Sequence, residues 1–175
     1  MDTNVAAFLK VPIDPLLRES AAPVERVGRS IDVAVLYRTH RARLVGLAAV
    51  ITLDRQVAEE VVQDAFLGLQ RHADHVDEPV GYLQRSVVNR AVSVQRRRRV
   101  AGDHVPAVVR PASLPEIDET WSVVCRLPPK QRAVIVLRFC EDMTVHRIAQ
   151  VLGWPAGSVM STLHRALKRL KTELG

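Results

Sequence analysis

Apolar side chains recur at helical spacing along most of the chain, and no stretch alternates convincingly with period two. From Ile31 onward, Leu36, His40, Leu44, Leu47, Ala48 and Ile51 mark one face of a first helix. Asp54 then stands where an N-cap is expected. Beyond it Val57, Val61 and Ala65 run beside Ala58, Val62, Phe66 and Leu69, with Glu59, Glu60, Gln63 and Asp64 on the opposite face. Ala73 to Pro79 is a polar loop, and Asp77-Glu78-Pro79 suits a helix start. The pattern predicts a third helix over 79–99 that buries Leu83, Val87, Ala91 and Val94 and ends in four arginines, Arg96 to Arg99.

Periodicity stops at Val100 to Leu114, where Gly102, Pro106 and Pro111 predict a linker containing a domain boundary. Ile117, Trp121, Val124 and Cys125 then form a short apolar stripe. Pro128-Pro129 opens a helix carrying Ala133, Val134, Leu137 and Cys140. A helix over 144–152, a Gly153-Trp154-Pro155 turn and a last helix from Ala156 complete the chain, with Val159, Leu163, Ala166, Leu167 and Leu170 as the apolar positions. Residues 1–30 hold three prolines and no sustained helical period, and read as a flexible or loosely docked extension. The expectation is an all-α chain of two small helical domains, 31–99 and 115–175, joined by a flexible acidic linker at 100–114.

Composition narrows the class. Hydrophobic residues make up 47% of the 175, enough for a buried core, while aromatics at 4% are poor material for a β-sandwich or barrel. The longest apolar run, Leu44 to Ile51, is too short to span a bilayer, and no secretory leader is visible, so no membrane role is expected. Two cysteines, Cys125 and Cys140, make neither a disulfide framework nor a four-thiolate zinc site, and a reduced cytoplasm is their simplest home. The net charge of +6 is unevenly spread: residues 82–99 and 121–175 each carry +6, while 31–81 and 100–120 each carry −3. Two basic surfaces with an acidic spacer between them point to a polyanion held at two places.

Three constellations could carry function. Thr144 to Leu152 is a compact amphipathic helix with a threonine N-cap, followed by a glycine turn and a helix with a small, polar first turn: the layout of a helix-turn-helix. Gly157, Ser158, Met160, Ser161 and Thr162 would face a major groove, and Arg165, Lys168, Arg169 and Lys171 would neutralise phosphates beside it. The plainer alternative is a helical hairpin with a solvated basic face. On the third helix Arg85, Asn89, Arg90, Arg96 and Arg97 have no acidic neighbour on the same helix, and the Asn89 amide can pair with a base edge where arginine mostly meets phosphate. Glu59, Glu60 and Asp64 could hold a divalent metal, but no histidine–carboxylate framework or phosphate-cradling glycine loop accompanies them. A solvated acidic face is the better expectation, with no metal, no cofactor and no catalytic residue. His72 and His75 do not complete a zinc site either.

The residues together resemble the extracytoplasmic-function sigma factors, promoter-recognition subunits of bacterial RNA polymerase. Gln56-Val57-Ala58-Glu59-Glu60-Val61-Val62-Gln63-Asp64-Ala65-Phe66 is similar to the family's acidic D-A-E-D-L-V-Q-D-x-F segment. Tyr82 to Arg90 is similar to W-L-x-x-I-x-x-N-x, Leu127 to Arg132 to L-P-x-x-x-R, Ile148 to Gly153 to I-A-x-x-L-G, and Gly157 to Ser161 to G-T-V-K-S. The order and spacing of these motifs make the combination specific.

The resemblance implies that core RNA polymerase is the partner, through the clamp helices of its largest subunit and the flap of its second-largest. Glu59, Glu60, Gln63 and Asp64 would meet the clamp helices. The loop from His72 to Pro79, with Arg85, Asn89, Arg90, Arg96 and Arg97, would melt and read the minus-ten element of promoter DNA. The helix-turn-helix would read the minus-thirty-five element, and an anti-sigma factor is a candidate further partner. Four positions depart from the family pattern: Arg147 replaces glutamate, Pro155 a serine N-cap, and Met160 and Thr162 the usual lysine and arginine. A stand-alone helix-turn-helix regulator is the alternative, but it leaves the acidic second helix and the arginine-rich third helix without a task.

Overall fold

A computed structural model describes residues 31–101 and 119–174; the extension at 1–30 and the linker, apart from Val100 and Ala101, lie outside the described residues. Seven α-helices occur among them: α1 (Val33–Thr52), α2 (Arg55–Arg71), α3 (Pro79–Ala101), α4 (Glu119–Arg126), α5 (Pro129–Ile135), α6 (Val145–Leu152) and α7 (Ala156–Leu174). The third helix thus runs two residues past the expected end, through Val100 and into Ala101.

Side-chain caps set the helix starts. Asp32 accepts from the Val35 amide at 3.0 Å and Asp54 from the Val57 amide at 3.1 Å, each satisfying a first-turn donor that has no carbonyl partner. Thr144 does the same for α6, accepting from the Arg147 amide at 3.2 Å. Proline opens α5 and α3, where a missing N–H costs nothing. Two helices end in left-handed residues. Gly153 does so freely at φ 68°, whereas Leu53 at φ 57° carries a side chain into a conformation that disfavours one.

α1 packs on both α2 and α3, and α2 on α3, closing a three-helix body. In the second half α4, α5 and α6 all pack on α7. The halves also touch: α5 lies against α1 and α3, and α6 against α3. Beyond Ile135 the chain makes a wider π turn through Cys140, with the Glu141 amide bonding to the Val136 carbonyl at 3.1 Å. That turn presents Glu141 toward the first half, where it meets Arg43 and Gln84. Among the described residues no helix is long and apolar enough to cross a membrane.

Candidate polymerase and nucleic-acid interface

The four polar positions predicted on the outer face of α2 lie there. Glu60, Gln63 and Asp64 are exposed and Glu59 is half-buried. They do not gather as metal ligands. Glu59 accepts from Arg55 at 3.2 Å with Arg41 at 4.0 Å, and Asp64 accepts from Arg90 at 2.9 Å. These pairs are solvent-exposed and contribute little to stability. Gln63 also borders a shallow groove of about 490 Å³ formed with Tyr37, Phe66 and Leu67, in which Tyr37 meets Phe66 edge-on at 5.0 Å.

Along α3, at 100° per residue, Arg85, Asn89 and Arg96 share one stripe while Arg90 and Arg97 form another about a quarter-turn away. All four arginines are exposed. Asn89 is not: it is half-buried, and its Nδ2 donates to the Val151 carbonyl at 3.2 Å. The Asn89 amide, expected to pair with a base edge, is here directed to the end of α6. Arg98 turns back to pair with Asp54, the N-cap of α2, its Nη1 2.8 Å from Asp54 Oδ2. The Arg98 guanidinium and the backbone amides of Val57 and Gln56 outweigh the effect of burial and hold the Asp54 carboxyl below its ordinary range. The side chain of Arg99 lies outside the described residues.

The helix-turn-helix forms from α6 and α7. Ile148, Ala149, Val151 and Leu152 are buried on α6, and Val159, Ala166 and Leu170 on α7. Gly157, Ser158, Met160 and Ser161 are exposed at the start of α7, with Arg165 and Lys168 exposed further along. Thr162 corrects the expectation of a groove-facing residue: it is 7% exposed. It lies three residues after Val159 and four before Ala166, so it falls on the apolar stripe that the helical period dictates. Its hydroxyl accepts from Arg165 at 3.4 Å.

The motifs did not indicate how Arg132, Arg43, Gln84 and Glu141 are used. Arg132 is 2% exposed, donating to the carbonyls of Ile51 at 2.7 Å and Cys125 at 2.5 Å, and burial pushes its pKa down to about 10. It remains charged at neutral pH. Glu141 accepts from Arg43 and, at 3.5 Å, from Gln84. The L-P-x-x-x-R motif pointed to Arg132, but no local signal marks Glu141, because its partners lie 57 and 98 residues away.

This arrangement defines an all-α, two-part nucleic-acid-binding protein with a helix-turn-helix in its second half. Residues 36–100 match the family model "Sigma-70 region 2" and residues 117–170 match "Sigma-70, region 4". The chain is 32% identical to RNA polymerase sigma-E factor of Streptomyces coelicolor, over 85% of this chain and 89% of the relative. It is 30% identical to ECF RNA polymerase sigma factor SigM of Mycobacterium tuberculosis, over 80% and 76%. The fold is similar to that of the sigma factor RpoE of Bartonella quintana, solved in complex with the anti-sigma factor NepR, at a TM-score of 0.63 and 19% identity, covering 82% of this chain and 96% of that one. The chain belongs to the extracytoplasmic-function sigma factors, the RNA polymerase subunits of the sigma-70 family. A stand-alone regulator is thereby set aside.

Proposed function

We propose that the chain binds core RNA polymerase through the outer face of α2 and promoter DNA through α3 and α7. The observation that carries this division is the sorting of exposed charge by helix: Glu60, Gln63 and Asp64 are exposed on α2 and Arg85, Arg96 and Arg97 on α3, while α7 opens with small exposed residues. Residues 31–99 are the unit for the clamp helices of the largest subunit and the minus-ten element. Residues 115–175 are the unit for the flap of the second-largest subunit and the minus-thirty-five element. Catalysis is polymerase's; this subunit supplies binding energy and address. An anti-sigma factor belongs to this reading as a further partner, as NepR is for the Bartonella quintana protein.

The test separates the surfaces. Glu60→Lys reverses a charge at an exposed position, so it should leave circular dichroism unchanged and reduce retention on immobilised core polymerase about tenfold. Replacing Arg96 and Arg97 by glutamine should weaken all promoters alike and lower the salt slope of binding by about two, the mark of two lost phosphate contacts. Unaltered retention of Glu60→Lys would remove α2 as the polymerase face.

A further inference from the structure

α1 and α2 form a hairpin joined by Leu53 and Asp54, so the first turns of α1 lie beside the last turns of α2, as the Tyr37–Phe66 ring contact shows. At that open end Ala34 and Tyr37 of α1 and Phe66 and Leu67 of α2 line the groove of about 490 Å³, and Arg38 and Gln63 border it. Phe66 is buried, whereas Leu67 is 42% and Tyr37 39% exposed. A clustered apolar opening edged by polar side chains has the character of a docking site, which apolar residues scattered singly would not.

The chain that precedes the described residues supplies an occupant at the same end. The extension runs into Asp32, the N-cap of α1, and the first turns of α1 border the groove. Its apolar part is residues 5–17, where Val5, Phe8, Leu9, Leu16 and Leu17 stand among one acid, Asp14, and one base, Lys10. A lone carboxylate suits Arg38, which forms no salt bridge among the described residues. Residues 18–31 tether this segment to Asp32, and so short a tether holds it near the groove at an effective concentration of about 1 mM.

We propose that residues 5–17 occupy the α1–α2 groove and cover Gln63, so that polymerase must displace them to dock on α2. The second part rests on the reading of the outer face of α2 as the polymerase face. At about 1 mM effective concentration, an intrinsic dissociation constant of about 0.1 mM fills the groove in about nine molecules of ten. The affinity for core polymerase is then lowered about tenfold, by the fraction of molecules whose groove is open.

The experiment uses the full chain with the photo-crosslinking residue p-benzoylphenylalanine in place of exposed Leu67, and in a second protein in place of exposed Gln70. Folding is checked by circular dichroism. Each protein is irradiated as an equal mixture of unlabelled and nitrogen-15-labelled chains, and the adducts are mapped by peptide mass spectrometry. The proposal expects adducts to residues 5–17 within one chain, lost when Leu16→Asp and Leu17→Asp are added together. Adducts between labelled and unlabelled chains would make the occupant a second copy and overturn the proposal. Adducts formed only after core polymerase is added would give the groove to polymerase and overturn it equally, as would no adduct from either position. Without the crosslinker, Leu16→Asp with Leu17→Asp should raise retention on immobilised core polymerase about tenfold. Unchanged retention would overturn the competition, and Glu60→Lys measured beside it shows which part has failed. A loss of retention in Glu60→Lys leaves α2 as the polymerase face, so only the displacement is wrong. No loss there removes the polymerase face itself, while the crosslinks decide the docking of residues 5–17 by themselves.

Discussion

Met160 and Thr162 are two residues apart on α7, hence about 200° apart around it, and the same kind of substitution meets opposite surroundings at the two sites. Met160 is 60% exposed and Thr162 7%. Met160→Lys adds a cation to the proposed groove-facing surface. It should raise duplex affinity and steepen its salt dependence by about one counterion in a fluorescence titration. Thr162→Arg places a charge in the packed face and should cost about 2–4 kcal/mol, seen as a lower urea midpoint, without improving DNA binding. Position near the start of α7 groups Thr162 with the groove-facing residues, whereas its spacing from Val159 and Ala166 puts it on the packed stripe. His40 makes a second prediction. Burial first, and the Arg43 charge second, hold its imidazole below the ordinary histidine value. The unfolded chain takes up this proton near its usual value of about 6.5 while the folded chain resists it. Stability is therefore full above that value and declines as pH falls from it toward the folded-state value. His40→Gln should show a smaller loss of urea midpoint between pH 7.5 and 5.5 than the parent chain.

Helix boundaries were legible because their chemistry is local. Asp54, Thr144, Pro129 and the glycine at 153 each act within four residues of their own position, and the structure places each in its expected role. The α2 cap also shows where local chemistry ends: Asp54 accepts from Val57 and in addition pairs with Arg98, 44 residues on. Asp54→Ala should lower stability by about 1–2 kcal/mol, from the lost cap with a smaller share from the ion pair. Because the Asp54 carboxyl is held below its ordinary range, that contribution is present above the unfolded carboxylate value, about 3.9, and is lost as pH falls through the folded one. The stability gap between the parent chain and Asp54→Ala should then narrow on acidification, measured by urea unfolding at pH 6 and pH 3. A constant gap would mean that the carboxylate charge does not matter to the cap.

At the scale of the whole molecule, periodicity specified two helical bodies but not their contact. The bonds joining them link residues 62, 81 and 98 apart: two run from a side chain to a helix-end carbonyl and one is an ion pair. Asn89 was legible as a special residue on an arginine-rich helix, but the position of α6 above it was not. The family's motifs, read with the charge map, point to the assembly this chain enters, in which it lends polymerase its promoter address. The most direct measurement mixes the purified chain with sigma-free core polymerase, follows co-elution by gel filtration, and scores run-off transcripts from a library of promoter fragments. Co-elution at one chain per core, with transcripts from a defined subset of fragments, is the predicted result. Tight duplex binding by a dimer without core, and no transcript when core is added, would contradict it.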